Sequence, residues 1–138
     1  MPPQRIVIID DCRLTLAIAR DMLEASGFEV LTAESWIEAN EHIFGLIPPD
    51  LILVDIELPM LRGDRKVRLL KNGEKSKNIP VILMSHKPPD QLERLAREAG
   101  ADGWIAKPLD PEILLDQVRR FLPPHFAALI DDRDASFS

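Results

Sequence analysis

The chain has 138 residues and a formal net charge of −6, so it is long enough for one domain with one core and carries no overall attraction for nucleic acid. Hydrophobic residues make up 46% of the sequence, which argues against intrinsic disorder. Cys12 is the only cysteine, so the chain forms no internal disulfide, which fits a reducing cytoplasm. Its apolar runs are far too short to span a bilayer, and we expect no membrane insertion.

Strand and helix patterns alternate five times along the chain. Short, continuous apolar runs are typical of buried parallel strands, and the segments between them have the apolar spacing of amphipathic helices. The strands are predicted at 5–9, 28–32, 51–54, 80–84 and 102–106. The helices are predicted at 13–25, 35–45, 64–72, 90–99 and 110–122. The second and fifth strands contain polar residues, as edge strands do, so the other three are expected at the centre of the sheet.

This alternation predicts an α/β fold, a doubly wound sheet of five parallel strands in the order 2-1-3-4-5 with five helices on its two faces. Asp90 and Asp110 are predicted to cap the starts of the fourth and fifth helices. The domain is predicted at residues 4–122, and residues 123–138 are interpreted as a tail or the start of a linker.

Polar side chains stand where the predicted strands end. Asp10 and Asp11 follow the first strand, Asp55 follows the third, Ser85 follows the fourth and Lys107 follows the fifth. The carboxyl ends of parallel strands meet at one edge of a sheet, which is where open α/β sheets bind ligands. We therefore expect these five side chains to lie close together.

Three carboxylates at one edge repel each other unless a cation joins them, and Mg²⁺ prefers oxygen ligands. A carboxylate beside such a metal can attack phosphorus. Lys107 would supply a fixed positive charge, and Ser85 a hydroxyl donor. Taken singly, an aspartate pair can cap a helix, a serine can form a turn and a lysine can be a solvated surface charge. Their joint occurrence favours a phosphoryl and metal site.

These motifs, in this order and spacing, resemble the receiver domain of two-component response regulators, over roughly residues 4–122. The resemblance implies a flavodoxin-like receiver fold and a single domain like that of the chemotaxis regulators. The motifs that carry the resemblance are Asp10-Asp11, Asp55 with Pro59 and Gly63 at fixed spacing, Ser85, and Lys107-Pro108.

The resemblance implies a role for each site residue. Asp55 would accept a phosphoryl group from a histidine kinase or a phosphotransfer protein. Asp11 and Asp55, with the backbone carbonyl of Glu57, would bind Mg²⁺ (or Mn²⁺), and Asp10 would support the metal through water. Lys107 would contact the phosphoryl group.

The resemblance also implies a switch. Ser85 would move to bond the phosphoryl group, Trp104 would hold the aromatic switch position, and Lys107-Pro108 would be a cis peptide. The surface of the fourth helix, fifth strand and fifth helix would then change and control binding of a downstream protein. A phosphorylation-dependent homodimer is left open.

Other readings compete with this one. A phosphatase with an aspartate nucleophile would, by resemblance, need a second aspartate two residues after it, where this chain has Glu57, and the following Leu58-Pro59 fits the receiver pattern instead. A phosphate-independent interaction module is disfavoured by the complete acidic site. The chain is either a stand-alone regulator or a receiver module excised from a larger regulator or hybrid kinase.

Several neighbours of the site invite simpler interpretations. His86 stands where the family often has a small residue, and an exposed loop histidine is the simpler interpretation. Cys12 is predicted to be a buried structural thiol.

Glu57 and Lys87 each lie two residues after a site residue and carry opposite charges. We hypothesise that they pair across the mouth of the site, the alternative being that both point to solvent.

Overall fold

The structure is a computed structural model, and it describes residues 2–124. Ten elements alternate along this part of the chain: β1 Arg5–Ile9, α1 Arg13–Ala25, β2 Glu29–Ala33, α2 Trp36–Ile43, β3 Leu51–Asp55, α3 Gly63–Asn72, β4 Val81–Ser85, α4 Pro89–Ala99, β5 Gly103–Ala106 and α5 Pro111–Phe121. Every neighbouring strand pair is parallel, and the sheet has the order β2-β1-β3-β4-β5. The predicted fold is confirmed.

The predicted elements are all present, and their ends differ from the predicted ones by two residues at most. The differences matter at two strands, because β3 extends to include Asp55 and β4 extends to include Ser85. Asp55 is in register with Met84, and Ser85 with Ala106. The last residues of β3 and β4 are therefore held by the sheet itself rather than by loops.

The apolar runs form the core on both sides of the sheet. Every residue of β3 and β4 is buried, whereas the edge strands β2 and β5 are only partly buried. Val7 and Ile9 belong to the cluster that packs α2, α3 and α4 on one face, and Ile6 and Ile8 belong to the cluster that packs α1 and α5 on the other. This alternation follows from the period of two in a β-strand.

The helix ends agree with the sequence at one predicted cap and not at the other. The Asp110 side chain accepts hydrogen bonds from the backbone N–H groups of Glu112 and Ile113, so that predicted cap is confirmed. The prediction for Asp90 is wrong, because α4 begins at Pro89, which puts Asp90 inside the first turn. Proline fits a first helical position, since its φ is already helical and it lacks only an N–H that the helix leaves unpaired there.

The predicted tail, 123–138, lies outside the described residues from 125 onward. Over residues 2–124, none of the helices combines the length and the apolar character that crossing a bilayer requires. The longest of them, α1, has 13 residues.

Candidate functional site

Three carboxylates meet at the carboxyl edge of the sheet. One oxygen from each of Asp10, Asp11 and Asp55 lies within 4.8 Å of the others. Asp10 and Asp55 are buried, with 0% and 4% of their surfaces exposed, whereas Asp11 is exposed. The cluster thus has a buried floor and an acidic side open to solvent, and its oxygen atoms suit a hard divalent cation.

Lys107 lies against the buried part of this cluster. Its Nζ contacts Asp10 Oδ2 and lies 3.5 Å from Asp55 Oδ1, and its side chain is only 5% exposed. The other oxygen of Asp10, Oδ1, accepts a hydrogen bond from the Cys12 backbone N–H at 2.9 Å. Lys107 therefore offsets part of the negative charge, and Asp10 is fixed from both sides.

The surroundings of Asp55 disfavour its ionised form. Burial raises its pKa above the usual 3.8, and the nearby Asp10 carboxylate raises it further, while Lys107 acts in the opposite direction. The nearby Glu57 backbone N–H also acts to lower the pKa, since it favours the charged form of Asp55. A raised pKa means that the ionised Asp55 is short of compensating positive charge, which a bound cation would supply.

The turn after Asp55 explains why glycine is needed at a fixed distance. The Gly63 backbone N–H donates to the Ile56 carbonyl at 2.9 Å, which folds the start of α3 back over the end of β3. A Cβ atom at Gly63 would lie 2.1 Å from the Asp55 carbonyl oxygen, far inside van der Waals contact. Only glycine fits there, so the spacing from Asp55 to Gly63 reflects this close approach of two backbone segments.

Ser85 is fully buried at the end of β4, one residue after Met84, the register partner of Asp55 on β3. Its Oγ accepts a hydrogen bond from the Lys87 backbone N–H at 3.0 Å, and its carbonyl accepts one from the Lys107 backbone N–H at 2.8 Å. The second bond links the end of β4 directly to the residue that contacts the acidic cluster. The peptide bond that follows it, Lys107-Pro108, is cis.

Glu57 and Lys87 pair across the mouth of the site, which confirms the hypothesised contact. Lys87 Nζ lies 3.3 Å from Glu57 Oε1, with the side chains 28% and 55% exposed. Among residues 2–124, the acidic cluster comprises Asp10, Asp11 and Asp55 and does not include the Glu57 carboxylate. A metal role for Glu57 therefore depends on its backbone carbonyl, as the family resemblance implies.

The two tryptophans pack against the same core cluster but belong to different elements. Trp104 on β5 is partly buried against the core cluster of α2, α3 and α4, and it lines an open cavity of about 670 Å³ between β5 and α5. Trp36 packs at the start of α2, and its Nε1–H donates to the Leu61 carbonyl, 2.8 Å away, in the loop between Asp55 and α3. The sequence pattern gave no indication that Trp36 would bond to this loop.

His86 and Cys12, next to the site, are both exposed, which agrees with the prediction for His86 but not with that for Cys12. His86 is exposed, as predicted for a loop histidine, and it lines a cavity of about 240 Å³ with Cys12, Lys107 and Pro108. The prediction of a buried Cys12 is wrong, because the thiol is exposed. Cys12 occupies the N-cap position of α1, and the buried face of that helix starts only at Leu16.

Fold and site together define a doubly wound α/β protein with an acidic pocket at the carboxyl edge of its sheet. The model of the response regulator receiver domain family matches residues 6–119. The chain belongs to this family, and hence to two-component signalling.

Individual relatives agree with this assignment. The polar-differentiation response regulator DivK of Brucella anthropi is 31% identical over 124 residues, which cover 87% of this chain and 97% of DivK. A response regulator structure from Chloroflexus aurantiacus superposes with a TM-score of 0.81 at 26% identity, covering 88% of this chain and 99% of that one. The BeF3-activated receiver domain of DrrB, a Thermotoga maritima protein, gives a TM-score of 0.76 at 28% identity, with 88% and 99% covered.

Membership of the family carries general properties. Receiver domains are in general signalling switches rather than catalysts, and they bind Mg²⁺ at an acidic pocket. They interact with histidine kinases or phosphotransfer proteins and with downstream targets.

Proposed function

We propose that this protein is a phosphorylation-activated switch whose Asp55 accepts a phosphoryl group from a histidine kinase or a phosphotransfer protein. The observation that carries the proposal is the environment of the Asp55 carboxylate. It is buried, lies 3.5 Å from Lys107 Nζ and shares its pocket with two further carboxylates. The single cysteine and the resemblance to intracellular signalling modules support a cytoplasmic location.

The transfer needs a nucleophile and compensation of charge. An Asp55 oxygen forms a bond to phosphorus while the bond from phosphorus to the donor histidine nitrogen breaks, and that nitrogen keeps the electron pair. The Lys107 ammonium, already 3.5 Å from Asp55, pairs with the phosphoryl oxygens. Such transfers depend mainly on positioning and electrostatics, both of which this rigid strand end provides.

The residues at the site fit a magnesium ion. Asp11 and Asp55 would hold it together with the Glu57 backbone carbonyl, and Asp10 would support it through water. When bound, magnesium (or manganese) neutralises charge on the carboxylates and on the phosphoryl oxygens. The fit rests on the donor set, since the three carboxylates supply hard oxygen ligands within 4.8 Å of one another. In the part of the chain that the structure describes, they have one ammonium, that of Lys107, to balance them.

The proposed signal leaves the site through Ser85. Its hydroxyl would bond the phosphoryl group, and Trp104 would rearrange with it. The hydrogen bond from the Lys107 N–H to the Ser85 carbonyl supports this coupling, because a shift at the end of β4 acts on β5. The changed surface of α4, β5 and α5 would then control binding to a downstream protein, or pairing with a second copy of the chain.

The proposal is tested by intact-mass measurement after incubation with Mg²⁺ and acetyl phosphate as the small phosphodonor. The parent should gain one phosphoryl group, and Asp55→Asn should gain none. Asp21→Asn, at an exposed position on α1, is the matched control and should be labelled like the parent. Labelling that persists in Asp55→Asn would refute the assignment of the phosphoacceptor.

A further inference from the structure

Lys87 is held at two points, and both connect to the site. Its backbone N–H donates to Ser85 Oγ at 3.0 Å, and its Nζ lies 3.3 Å from Glu57 Oε1. Glu57 itself lies in the turn that follows Asp55, two residues along the chain. This chain of contacts therefore joins the turn after the proposed phosphoacceptor, over the mouth of the site, to the proposed switch hydroxyl.

The two ends of this chain of contacts belong to neighbouring strands. Asp55 ends β3 and Ser85 ends β4, and directly after Asp55 the Ile56 N–H donates to the carbonyl of Met84 in β4, 3.0 Å away. Within the strands, backbone hydrogen bonds fix the position of β4 relative to β3. Past the strand ends, the turns that contain Glu57 and Lys87 are joined by their ion pair.

We propose that the Glu57–Lys87 ion pair is a tether that holds the Ser85 turn in its unphosphorylated position. This inference rests on the proposed function, in which Ser85 must shift to bond a phosphoryl group on Asp55. Because Ser85 Oγ is bonded to the Lys87 N–H, residues 85–87 move together. Their movement relative to β3 must stretch or break the contact with Glu57. Glu57 and Lys87 are thus positioning residues that act through Ser85.

The solvent exposure of the Glu57 and Lys87 side chains limits how strongly the tether can oppose movement of the Ser85 turn. With side chains 28% and 55% exposed, the pair is partly screened by solvent. Pairs of this kind shift an equilibrium by about fivefold at most. The tether would therefore adjust how readily the site closes on a phosphoryl group, without preventing closure.

The tether makes a prediction that a direct electrostatic effect does not share. If each charge acted on the anionic phosphoryl group through space, losing Lys87 would weaken its binding and losing Glu57 would strengthen it. If the pair acts as a tether, either loss frees the same turn, so both changes act in the same direction. The double variant then resembles either single variant, because one contact is removed only once.

The experiment is a titration with beryllium trifluoride, which mimics a phosphoryl group on a carboxylate, at Mg²⁺ concentrations that saturate each variant. Lys87→Met and Glu57→Gln keep the backbone and most of the side-chain volume. Each should bind the mimic about two- to fivefold more tightly than the parent. The charge-swapped variant, Glu57→Lys with Lys87→Glu, should return to the parent affinity, because the pair is rebuilt.

The readout that reports the tether itself is amide hydrogen exchange at Lys87 without the mimic. Exchange should speed up in both single variants and recover in the charge-swapped one. Lys77→Met is the matched control, since Lys77 pairs with Glu74 at 3.5 Å before β4, at the other end of that strand. This control should bind the mimic like the parent.

Opposite changes in the two single variants, weaker binding in both, or unchanged binding in both would each overturn the tether. Those results leave the proposed function standing, because the parent still binds the mimic and Asp55→Asn does not. Failure of the parent to show Asp55-dependent binding would overturn the proposed function, and the tether with it.

Discussion

At the amino ends of the strands, Glu29 and Asp102 pair with cations, whereas at the carboxyl ends three carboxylates cluster beside the ammonium of Lys107. Arg5 pairs with Glu29 at 2.9 Å, and Lys71 pairs with Asp102 at 2.7 Å. Asp102 also accepts the Val81 backbone N–H at 2.8 Å. At the opposite edge, Lys107 is the one cation within residues 2–124 that pairs with members of the acidic cluster, namely Asp10 and Asp55.

This contrast between the two edges of the sheet distinguishes charged side chains that maintain the fold from charged side chains that are available for chemistry. A matched pair such as Lys71 and Asp102 is electrostatically complete and needs no ligand. An unmatched group of carboxylates lowers the stability of the protein and favours anything that brings positive charge. The excess of negative charge at the carboxyl edge is thus the physical basis for cation binding there.

The largest expected effect comes from removing the lysine at each edge. Lys107→Met leaves Asp10 buried without its cation, which should lower the free energy of unfolding by about 3–5 kcal/mol. Lys71→Met breaks a more exposed pair and should cost about 1–2 kcal/mol. Urea unfolding without divalent cations measures both values, and equal losses would contradict the comparison.

Magnesium should stabilise the protein through the carboxyl edge only. At a concentration of 100 times its dissociation constant, a ligand of the folded state adds about 2.7 kcal/mol. Asp11→Asn should lose most of this gain, while Asp116→Asn, exposed on α5, should keep it. Thermal unfolding with and without Mg²⁺ is the measurement. If the Asp11 variant gains as much as the parent does, Asp11 is not a ligand.

A smaller effect concerns pH. The pKa of Asp55 is raised above its usual 3.8, so the folded protein holds that proton more tightly than the unfolded chain does. The resulting stability is present at low pH and is lost as the pH rises through the raised pKa. Asp55→Asn should therefore stabilise the metal-free protein at pH 7, by about 1 kcal/mol. The gain should shrink toward pH 4, as urea unfolding at both pH values would reveal, and a gain independent of pH would contradict the electrostatic explanation.

The smallest expected effect is a redistribution of flexibility on activation. With Mg²⁺ and beryllium trifluoride, hydrogen exchange should change most between residues 85 and 110. The reason is that the Ser85 carbonyl accepts from the Lys107 N–H, which joins the ends of β4 and β5. Changes confined to α1 and α2 would show that the signal leaves the site by another route.

The sequence predicts the sheet and the grouping of the acids, because both follow from backbone periodicity. Apolar runs identify the strands, and a parallel sheet brings the residues after those strands to one edge. The same reasoning cannot show that Asp10 is fully buried while Asp11 is exposed, since that depends on how α1 leaves β1.

Local details were predicted less well where two weak preferences compete. Asp90 resembles a helix cap, yet the prolines before it start α4 earlier. Cys12 is apolar in character, yet its place before α1 exposes it. Gly63 is recognisable as part of a motif, but the contact that requires glycine appears only in three dimensions, where the backbone of Asp55 lies against it.

Because Trp36 is hydrogen-bonded to Leu61, its fluorescence should report on the loop after Asp55, and Trp104 offers a second reporter on β5. The sequence contains two tryptophans and no tyrosine, so its near-ultraviolet emission comes from Trp36 and Trp104 alone. Trp36 is bonded to the loop that leaves Asp55, and Trp104 lies on the strand that leads to Lys107. Trp36→Phe and Trp104→Phe would therefore each leave a single fluorophore, on β5 or beside the β3–α3 loop respectively. Stopped-flow emission from the two variants would establish whether the β3–α3 loop or β5 responds first when a phosphoryl group arrives.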